Sequence, residues 1–227
     1  DFNRLKSGNT RINVKIKADT ELDINAQGPD ISEDEIKELF EKLDEIKDGD
    51  FLVLAGSVPS TLPADIYERI LKRLSGRGVN FVVDATGDLL LNVLKYKPFL
   101  VTPNHHELGD LFSVKTKTDE EIEKYARKLQ KMGARNVLVS RSKDGAMLID
   151  ENGGVFKIEN AEGKLVNSVG CGDSMVGGFI AGYDQKKDYS HALRLGAVCG
   201  NATAFSEGLA DKAEIDRVYD LLDISKS

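Results

Sequence analysis

The chain has few of the residues that build metal clusters or covalent cross-links. Its 227 residues include two cysteines, three histidines and no tryptophan. Cys171 and Cys199 stand alone, without a Cys-x-x-Cys or Cys/His spacing, which excludes a structural zinc site. Two isolated thiols suit a reducing compartment, and we expect the cytoplasm. Any metal ion would be held by oxygen ligands.

Long basic runs and long apolar runs are also missing. The formal net charge is −7 at pH 7, which argues against nucleic acid or an anionic membrane as the main partner. No apolar stretch reaches membrane-spanning length, and nothing at the start resembles a signal peptide. With 41% hydrophobic and 30% charged residues, the chain can bury a full core. We expect one large α/β domain or a domain with a small appendage.

A glycine-rich turn is the most informative stretch. Residues 169–179 read VGCGDSMVGGF, a turn that leads into an apolar, small-residue segment with the pattern of a helix. Gly170 and Gly172 lack Cβ atoms, so backbone N–H groups can converge on an anion, and a helix that begins there adds its positive end. Asp173 stands beside this anion hole, where a base could deprotonate an attacking hydroxyl. Phosphoryl transfer needs both features.

Simpler interpretations of this turn stay open. Alone, Gly-x-Gly-Asp is typical of a loop with an aspartate near the start of a helix. Two better-known phosphate loops are excluded. No Gly-Lys-Ser/Thr follows, as a P-loop requires, and a dinucleotide fingerprint would need glycine where Met175 stands.

The first part of the chain predicts a strand with two different faces. Residues 10–17, TRINVKIK, alternate polar and apolar side chains, and residues 22–24 are a candidate return strand before a turn at 27–29. The polar face carries Arg11, Asn13, Lys15 and Lys17. This face is either a solvated surface or a site for a phosphorylated small molecule, with Arg11 as a two-pronged phosphate ligand.

From residue 32 onward, helix and strand patterns alternate. Ser32 and Glu35 form a capping-box pattern ahead of a helix, and Thr118 and Glu121 form another. Residues 51–55, FLVLA, are a continuous apolar run, as expected of a parallel strand covered on both faces. Further helices are predicted over 64–74, 89–94 and 119–132, and further strands over 80–83, 99–101 and 137–139. The alternation predicts an α/β fold with a mostly parallel sheet.

Polar residues follow the predicted strands at their carboxyl ends, where open parallel sheets bind ligands. They are Ser57, which follows Gly56, and Asp84, Asn104, Glu107 and Ser140. Asn104 and Glu107 could hold Mg²⁺ through water beside a nucleotide phosphate, or could be a turn with a solvated acid. His105 and His106 lie between them, and we interpret both as surface histidines, because one of two adjacent residues on a turn should point away.

Five motifs, taken in order, resemble one enzyme family. They are Thr10-Arg11-x-Asn13, Ala55-Gly56-Ser57-Val58-Pro59, Pro103-Asn104-x-x-Glu107-Leu108, Val139-Ser140 with Asp144-Gly145-Ala146, and Gly170-Cys171-Gly172-Asp173-Ser174-Met175. Over essentially the whole chain, this set resembles the ribokinase-like sugar kinases, the phosphofructokinase B family. Each motif alone is weak to moderate, but five in the correct order are a strong signal.

The resemblance implies a fold and an activity. The fold would be a ribokinase-like three-layer α/β/α sandwich, with residues 1–30 as a β lid over the sugar and residues 31–227 as the nucleotide-binding and catalytic core. The activity would be ATP-dependent phosphorylation of the 6-hydroxyl of fructose 1-phosphate, and the lid would also form a homodimer interface. The alternatives are a tagatose-6-phosphate or fructose-6-phosphate kinase, or a non-catalytic nucleotide-binding fragment.

The resemblance also implies roles for individual residues. Asp173 would be the catalytic base, with an anion hole made by Gly170, Cys171 and Gly172. The sugar phosphate would be bound by Arg11, Asn13, Lys15 and Ser57. The nucleotide would be bound by Asn104, Ser140, Ser142, Gly145, Gly172 and Asn201. Mg²⁺ would be held through water by Asn104 and Glu107.

The chain departs from the family pattern at four places. Thr102 replaces a lysine that commonly precedes the Pro-Asn pair, and Ser142 stands where the nucleotide loop usually has glycine. Cys171 replaces an alanine. Its thiol, at a helix N-terminus, could have a lowered pKa, although a small residue that fills a small gap is the simpler interpretation. The segment that precedes the Thr-Arg strand in relatives is not in this sequence: either the chain is a fragment, or the segment was cleaved or left out. If the segment is truly absent, we expect an exposed apolar sheet edge.

Overall fold

The computed structural model describes residues 2–17, 21–222 and 225–226. The strands in these ranges are β1 (Asn13–Lys17), β2 (Glu21–Asn25), β3 (Phe51–Ala55), β4 (Asn80–Asp84), β5 (Leu100–Val101), β6 (Asn136–Ser140), β7 (Ala146–Ile149), β8 (Val155–Ile158) and β9 (Ser225–Lys226). The α-helices are α1 (Glu33–Leu43), α2 (Ile66–Leu74), α3 (Gly87–Val93), α4 (His105–Leu111), α5 (Asp119–Met132), α6 (Cys171–Lys186), α7 (Tyr189–Ala204) and α8 (Lys212–Tyr219). The chain divides into two compact units, residues 1–50 with 56–79 and residues 51–55 with 80–227.

The first unit contains the β1–β2 hairpin and helices α1 and α2. The two strands pair antiparallel, with Asn13 opposite Asn25 and Val14 opposite Ile24. α1 begins at the predicted capping box, because the Ser32 hydroxyl accepts from Glu35 N while the Glu35 carboxylate accepts from Ser32 N. An ion pair between Arg73 of α2 and Asp44 joins the C-terminal ends of both helices.

The second unit is built on a seven-stranded sheet with the order β3-β4-β5-β6-β7-β8-β9. Neighbouring strands are parallel from β3 to β6 and antiparallel from β6 to β9. Most strands of the described sheet therefore point the same way, as predicted. Because β3 to β6 are parallel, their carboxyl ends meet at one edge of the sheet.

Helices cover both faces of this sheet. α6, α7 and α8 pack on one face, where Phe179 and Leu193 share a core cluster with Leu138 of β6. α5 packs against β6 and β7 with Ile122 and Leu129 buried, and neither residue belongs to that cluster. The second unit is therefore the predicted three-layer α/β/α sandwich.

α6 and α7 pack closely because glycines stand at their contact. A Cβ atom added at Gly178 would lie 2.6 Å from the Leu195 carbonyl oxygen, and one added at Gly196 would lie 2.8 Å from the Met175 carbonyl oxygen. Both distances are below van der Waals contact, so these positions accept glycine alone without a backbone shift. The close pairing fixes the position of α6, whose first turn carries the glycine-rich motif.

Most predicted helices are confirmed. α5 has the predicted bounds and the Thr118–Glu121 capping box. α2 begins at Ile66, two residues later than predicted, and α3 begins at Gly87, two residues earlier. None of the described helices is long and apolar enough to cross a membrane. The proposed division into residues 1–30 and 31–227 stays a prediction.

The expectation for β3 is wrong in one respect. β3 lies at the end of the strand order, and Val53 is 42% exposed while Leu54 is buried. An edge strand has a neighbour on one side alone, so its faces are covered less completely than those of a central strand. A continuous apolar run therefore indicated a strand but not full coverage.

Candidate active site

Polar residues of the second unit meet at the carboxyl ends of its parallel strands. Asp84 ends β4, Ser140 ends β6, and Asn104 follows β5. Asn104 forms an isolated parallel bridge with Ser140, and Ser140 N donates to the Pro103 carbonyl at 3.3 Å. Residues from separate sequence motifs therefore lie along one edge of the sheet.

Helix α6 begins at the predicted anion hole. Gly170 is its N-cap and has a left-handed conformation, with φ of 81°. Ser174 N donates to the Gly170 carbonyl at 2.8 Å, so helical hydrogen bonding starts there. The N–H groups of Cys171, Gly172 and Asp173 consequently have no acceptor within the helix. Together with the positive end of a 16-residue helix, they form a site suited to an anion.

Asp173 lies in the first turn of α6 with an exposed side chain. Within the described parts of the chain, it takes part in no ion pair. The exposed carboxylate lies in the same helical turn as the N–H donors. Its role as a base stays a prediction.

A second carboxylate, Asp84, lies close enough to Asp173 to sense its charge. Thr102 Oγ1 donates to Asp84 Oδ1 at 2.8 Å. Burial raises the pKa of Asp84, the hydrogen bond from Thr102 lowers it, and the negative charge of Asp173 raises it, so that it lies above its ordinary value. Sequence patterns placed Asp84 at a strand end without a role, because its nearness to Asp173 depends on tertiary structure.

Asn104 and Glu107 form the capping box of α4. Asn104 Oδ1 accepts from Glu107 N at 2.9 Å, and Glu107 Oε2 accepts from Asn104 N at 2.8 Å. The second carboxylate oxygen, Glu107 Oε1, remains as a hard ligand of the kind that Mg²⁺ prefers, directly or through water. The described residues contain no group of three or more His, Cys, Asp or Glu side chains that could hold a metal ion. The assignment of a magnesium ion to this pair stays a prediction.

The loop after β6 contains two residues in the left-handed region. Ser142 has φ of 53° and Gly145 has φ of 83°. A Cβ atom at Gly145 would lie 1.9 Å from the Ile158 carbonyl oxygen, so this position requires glycine. Asn160 Nδ2 donates to the Ser142 carbonyl at 2.7 Å, and Arg141 N donates to the Gly145 carbonyl at 2.8 Å. The replacement of glycine by serine at position 142 thus keeps a left-handed turn, which these bonds hold.

Asn201 is buried on α7 and bonded to the protein. Its Oδ1 accepts from Ala161 N at 3.0 Å, and its Nδ2 donates to the Ala197 carbonyl at 2.8 Å and to Asn160 Oδ1 at 3.2 Å. These bonds hold the segment that follows β8. Any contribution of Asn201 to nucleotide binding would act through that segment.

The first unit contains the predicted sugar-phosphate residues. Arg11 Nη1 donates to Ser57 Oγ at 2.8 Å, so residues 46 positions apart in sequence meet. Asn13 lies in β1 with an exposed side chain. The side chain of Lys15 lies outside the part that the structure describes.

Comparison with known proteins identifies the family of the chain. The model of the pfkB family carbohydrate kinases matches residues 1–216. The chain belongs to the pfkB family. Among its pfkB relatives, a 1-phosphofructokinase of Bacillus subtilis is 44% identical over 217 residues, which are 96% of this chain and 71% of that protein. A D-tagatose-1-phosphate kinase of Bacillus licheniformis is 35% identical over 219 residues, which are 96% of this chain and 72% of that protein.

Solved structures of similar fold include other phosphofructokinases. A crystal structure from Staphylococcus aureus, provisionally described as a phosphofructokinase, has a TM-score of 0.85 and 38% identity. The match covers 95% of this chain and 70% of that one. Escherichia coli phosphofructokinase-2 in complex with fructose 6-phosphate has a TM-score of 0.82 over 92% of this chain and 69% of that one; at 24% identity, this likeness shows the fold alone.

In this pfkB chain, the residue between the two anion-hole glycines is Cys171. Its thiol is half-buried and donates to the Asn167 carbonyl at 3.5 Å. Burial raises the pKa of this thiol, so the expectation of a lowered pKa is wrong. The structure supports the simpler interpretation, a small side chain that fills a gap at the start of α6.

The two histidines of the pfkB Asn-x-x-Glu motif do not point apart. The ring centroids of His105 and His106 are 3.9 Å from each other, and both rings line one cleft. His106 is exposed, but His105 is half-buried. The interpretation as surface histidines is therefore wrong for His105, since the first turn of α4 directs both rings to the same side.

Proposed function

We infer that this pfkB chain is an ATP-dependent kinase that phosphorylates the 6-hydroxyl of fructose 1-phosphate. The products are fructose 1,6-bisphosphate and ADP. The observation that carries this inference is the exposed Asp173 beside the N–H groups that begin α6. The choice of sugar is supported by relatives named 1-phosphofructokinase, at 44% identity in Bacillus subtilis and 33% in Borreliella burgdorferi.

Asp173 is the proposed general base. Its carboxylate accepts the proton of the sugar hydroxyl as the hydroxyl oxygen attacks the γ-phosphorus of ATP. The bond from that phosphorus to the bridging oxygen breaks, and its electron pair leaves with ADP. Meanwhile the N–H groups of Cys171, Gly172 and Asp173 donate to the equatorial oxygens of the transferred group, where charge is greatest. Gly170 makes this possible by turning the chain into α6.

The nucleotide side of the proposed site is the edge formed by Asn104, Ser140 and Gly145. Asn104 and Ser140 are joined by backbone pairing, and Gly145 is required where the loop passes the Ile158 carbonyl. Ser142 and Asn201 support this edge through their shared partner Asn160. Asn104 and Glu107 would hold Mg²⁺ through water, and the ion would supply positive charge beside the nucleotide phosphates.

Arg11 is the proposed ligand of the phosphate group that the sugar already carries. A guanidinium forms two parallel hydrogen bonds with a phosphate, and its bond to Ser57 orients it. Asn13 is two residues further along the strand pattern, hence on the same face, and is proposed to bind the sugar as well. The assignment of Lys15 stays a prediction.

A second candidate substrate is tagatose 1-phosphate. The Bacillus licheniformis relative with 35% identity is named D-tagatose-1-phosphate kinase. Arginine recognises a phosphate without distinguishing the sugar that carries it, so this candidate is compatible with the same residues.

The test is a panel of four acceptors with ATP: fructose 1-phosphate, tagatose 1-phosphate, fructose 6-phosphate and tagatose 6-phosphate. We expect the highest kcat/KM with fructose 1-phosphate. A higher value for another acceptor would replace the substrate and keep the kinase. ATP binding without turnover of any acceptor would favour a non-catalytic nucleotide-binding protein.

The β1–β2 hairpin is the proposed homodimer interface. Val14 lies opposite Ile24 and Ile16 opposite Leu22, so the four side chains share one face, and each is 44 to 54% exposed. A two-stranded hairpin gains little stability alone, and an exposed apolar face of this kind favours contact with another chain. A solved structure of Escherichia coli phosphofructokinase-2, 25% identical, is a tetrameric inhibited form.

A further inference from the structure

The second unit contains a cleft of about 930 Å³, which lies beside the N-terminal end of α5. Its walls are the first turn of α4, the loop before α5, the loop after β6 and the end of β8. The roles proposed above for Asp173 and the N–H groups of α6 do not use this cleft. Its lining includes several side chains that can donate hydrogen bonds, among them His105 and His106.

The charge of the cleft differs in sign from that of the chain. Four cationic side chains line it, namely Lys117, Arg141, Lys143 and Lys157. Three carboxylates line it, namely Asp119, Asp144 and Glu159. The balance is one positive charge on a chain whose net charge is −7.

Two buried nitrogen atoms in the walls lack hydrogen-bond partners within the described residues. They are Nδ1 of His105 and Nε of Arg141. The side chain of Arg141 is 12% exposed, and its Nη1 donates to Asp119 Oδ1 at 2.5 Å. Buried polar atoms are nearly always paired, so unpaired ones at the wall of a cleft indicate a ligand that supplies acceptors. Arginine with lysine and histidine donors is a typical environment for phosphate.

Residues that line the cleft are neighbours in sequence of the proposed nucleotide-side residues. His105 and His106 lie between Asn104 and Glu107 in sequence, and Arg141 follows Ser140 directly. An anion bound to these side chains would restrain the same two loops. Such coupling would change nucleotide affinity without direct contact between the two ligands.

We propose that this cleft is a second anion site, which binds a phosphate group and couples to nucleotide binding through the loops after β5 and β6. The coupling rests on the proposed function, whereas the binding does not. Asp119 already pairs with Arg141 and with Lys157, the latter at 3.1 Å, so the anion shares these cations with a carboxylate. This competition lowers the affinity for the anion.

The three histidines of the chain provide the test. His191 lies in the first turn of α7, and its Nε2 atom is 3.3 Å from Gln185 Oε1. It does not line the cleft. Imidazole resonances are followed by NMR while inorganic phosphate replaces chloride at constant ionic strength. His106→Gln and His191→Gln assign the signals. We expect saturable shifts of the His105 and His106 resonances and none of His191. Equal shifts of all three, or no saturable shift, would overturn the proposal.

A second arm separates free phosphate from the phosphates of the nucleotide. The titration is repeated with a saturating, non-hydrolysable ATP analogue and Mg²⁺. If phosphate still shifts the His105 and His106 resonances, the cleft is a separate site. If the analogue alone causes the same shifts and phosphate then adds none, the cleft is part of the nucleotide site and the proposal is overturned. Lys117→Gln should weaken phosphate binding several-fold, and Lys131→Gln, at the far end of α5, should not. Because this readout is binding, it does not depend on kinase activity.

Discussion

Thr102 Oγ1 donates a 2.8 Å hydrogen bond to Asp84 Oδ1 at the carboxyl ends of β5 and β4. The carboxylate that it holds lies within the electrostatic reach of Asp173. The negative charge of Asp173 disfavours ionisation of Asp84, in addition to the larger effect of burial on its pKa. The threonine replaces the lysine expected from the family pattern, so a neutral donor, and not a cation, faces Asp84.

The raised pKa of Asp84 predicts a pH-dependent stability. The folded chain holds the Asp84 proton more tightly than the unfolded chain does. Stability is therefore lost as the pH rises from the ordinary carboxyl pKa, about 4, through the raised pKa of Asp84. Asp84→Asn cannot ionise and therefore does not lose stability as the pH rises. We expect its Tm to be higher than that of wild type at pH 7, and the difference in Tm to shrink toward pH 4.

Thermal unfolding across this pH range measures the effect, at about 2–4 °C of Tm for each kcal/mol in a chain of this size. Asp110→Asn, at an exposed position of α4, is the control and should follow wild type. If the plot of Tm against pH for Asp84→Asn ran parallel to that of wild type, ionisation of Asp84 would not destabilise the folded chain.

Asp173 is predicted to control the chemical step. Asp173→Asn keeps the size of the side chain but cannot accept the proton, so we expect kcat to fall by about 10²–10⁴-fold with a much smaller change in KM. Asp184→Asn is a matched control, because Asp184 is exposed near the other end of α6 and pairs with Lys187. An unchanged kcat in Asp173→Asn would remove the residue from its proposed role.

Arg11 is predicted to control sugar-phosphate affinity. Loss of a charge-assisted hydrogen-bonded contact costs about 1.5–3 kcal/mol, so Arg11→Ala should raise the KM for the sugar phosphate by about 10–100-fold. The KM for ATP should change little. Arg69→Ala removes an exposed arginine of the same unit, paired with Asp65, and serves as the control. Equal effects on both KM values would instead indicate a structural role for Arg11.

Local signals in the sequence were sufficient where neighbours in sequence supply the interaction. The Ser32–Glu35 and Thr118–Glu121 capping boxes and the turn into α6 at Gly170 all depend on contacts within four residues, and all are present as predicted. Asn104 and Glu107 show the limit of such signals. The same two residue types at the same spacing suit both a capping box and a water-mediated magnesium site, so the pattern alone could not separate the two.

Other features depend on contacts that the sequence pattern does not contain. Thr102 and Asp84 meet because two strands lie side by side, and Arg11 meets Ser57 across 46 positions. The exposure of Val53 depends on the place of β3 in the strand order. The position of Cys171 at a helix N-terminus allows a lowered pKa, but its burial, which the sequence pattern does not contain, raises the pKa.

The contact of α6 with α7 provides a stability prediction with a built-in control. Gly178→Ala places a methyl group 2.6 Å from the Leu195 carbonyl oxygen, whereas the same change at Gly177 meets no atom within 4 Å. We expect Gly178→Ala to destabilise by about 1–3 kcal/mol, as overpacked sites do. Gly177→Ala should be neutral or stabilise by up to about 1 kcal/mol, because alanine favours helix more than glycine does. Denaturant unfolding of both variants measures the difference, and equal effects would contradict close packing at Gly178.

The exposed apolar face of the β1–β2 hairpin leads to a prediction about assembly. Val14 and Ile24 lie opposite each other on that face, so Ile24→Lys would place a charge in the proposed interface. Burying an unpaired lysine is costly, and we expect the dimer to dissociate at concentrations where wild type stays associated. Asn25→Lys is the matched control, since Asn25 lies next in the strand but on the opposite face, across from Asn13.

Sedimentation velocity over a range of protein concentrations distinguishes the two variants. Ile24→Lys should sediment as a monomer, and Asn25→Lys should keep the wild-type distribution. If both variants stay dimeric, the interface lies elsewhere on the chain. If wild type itself is a monomer, the apolar face is covered in another way, and Ile24→Lys should then lower stability and not association.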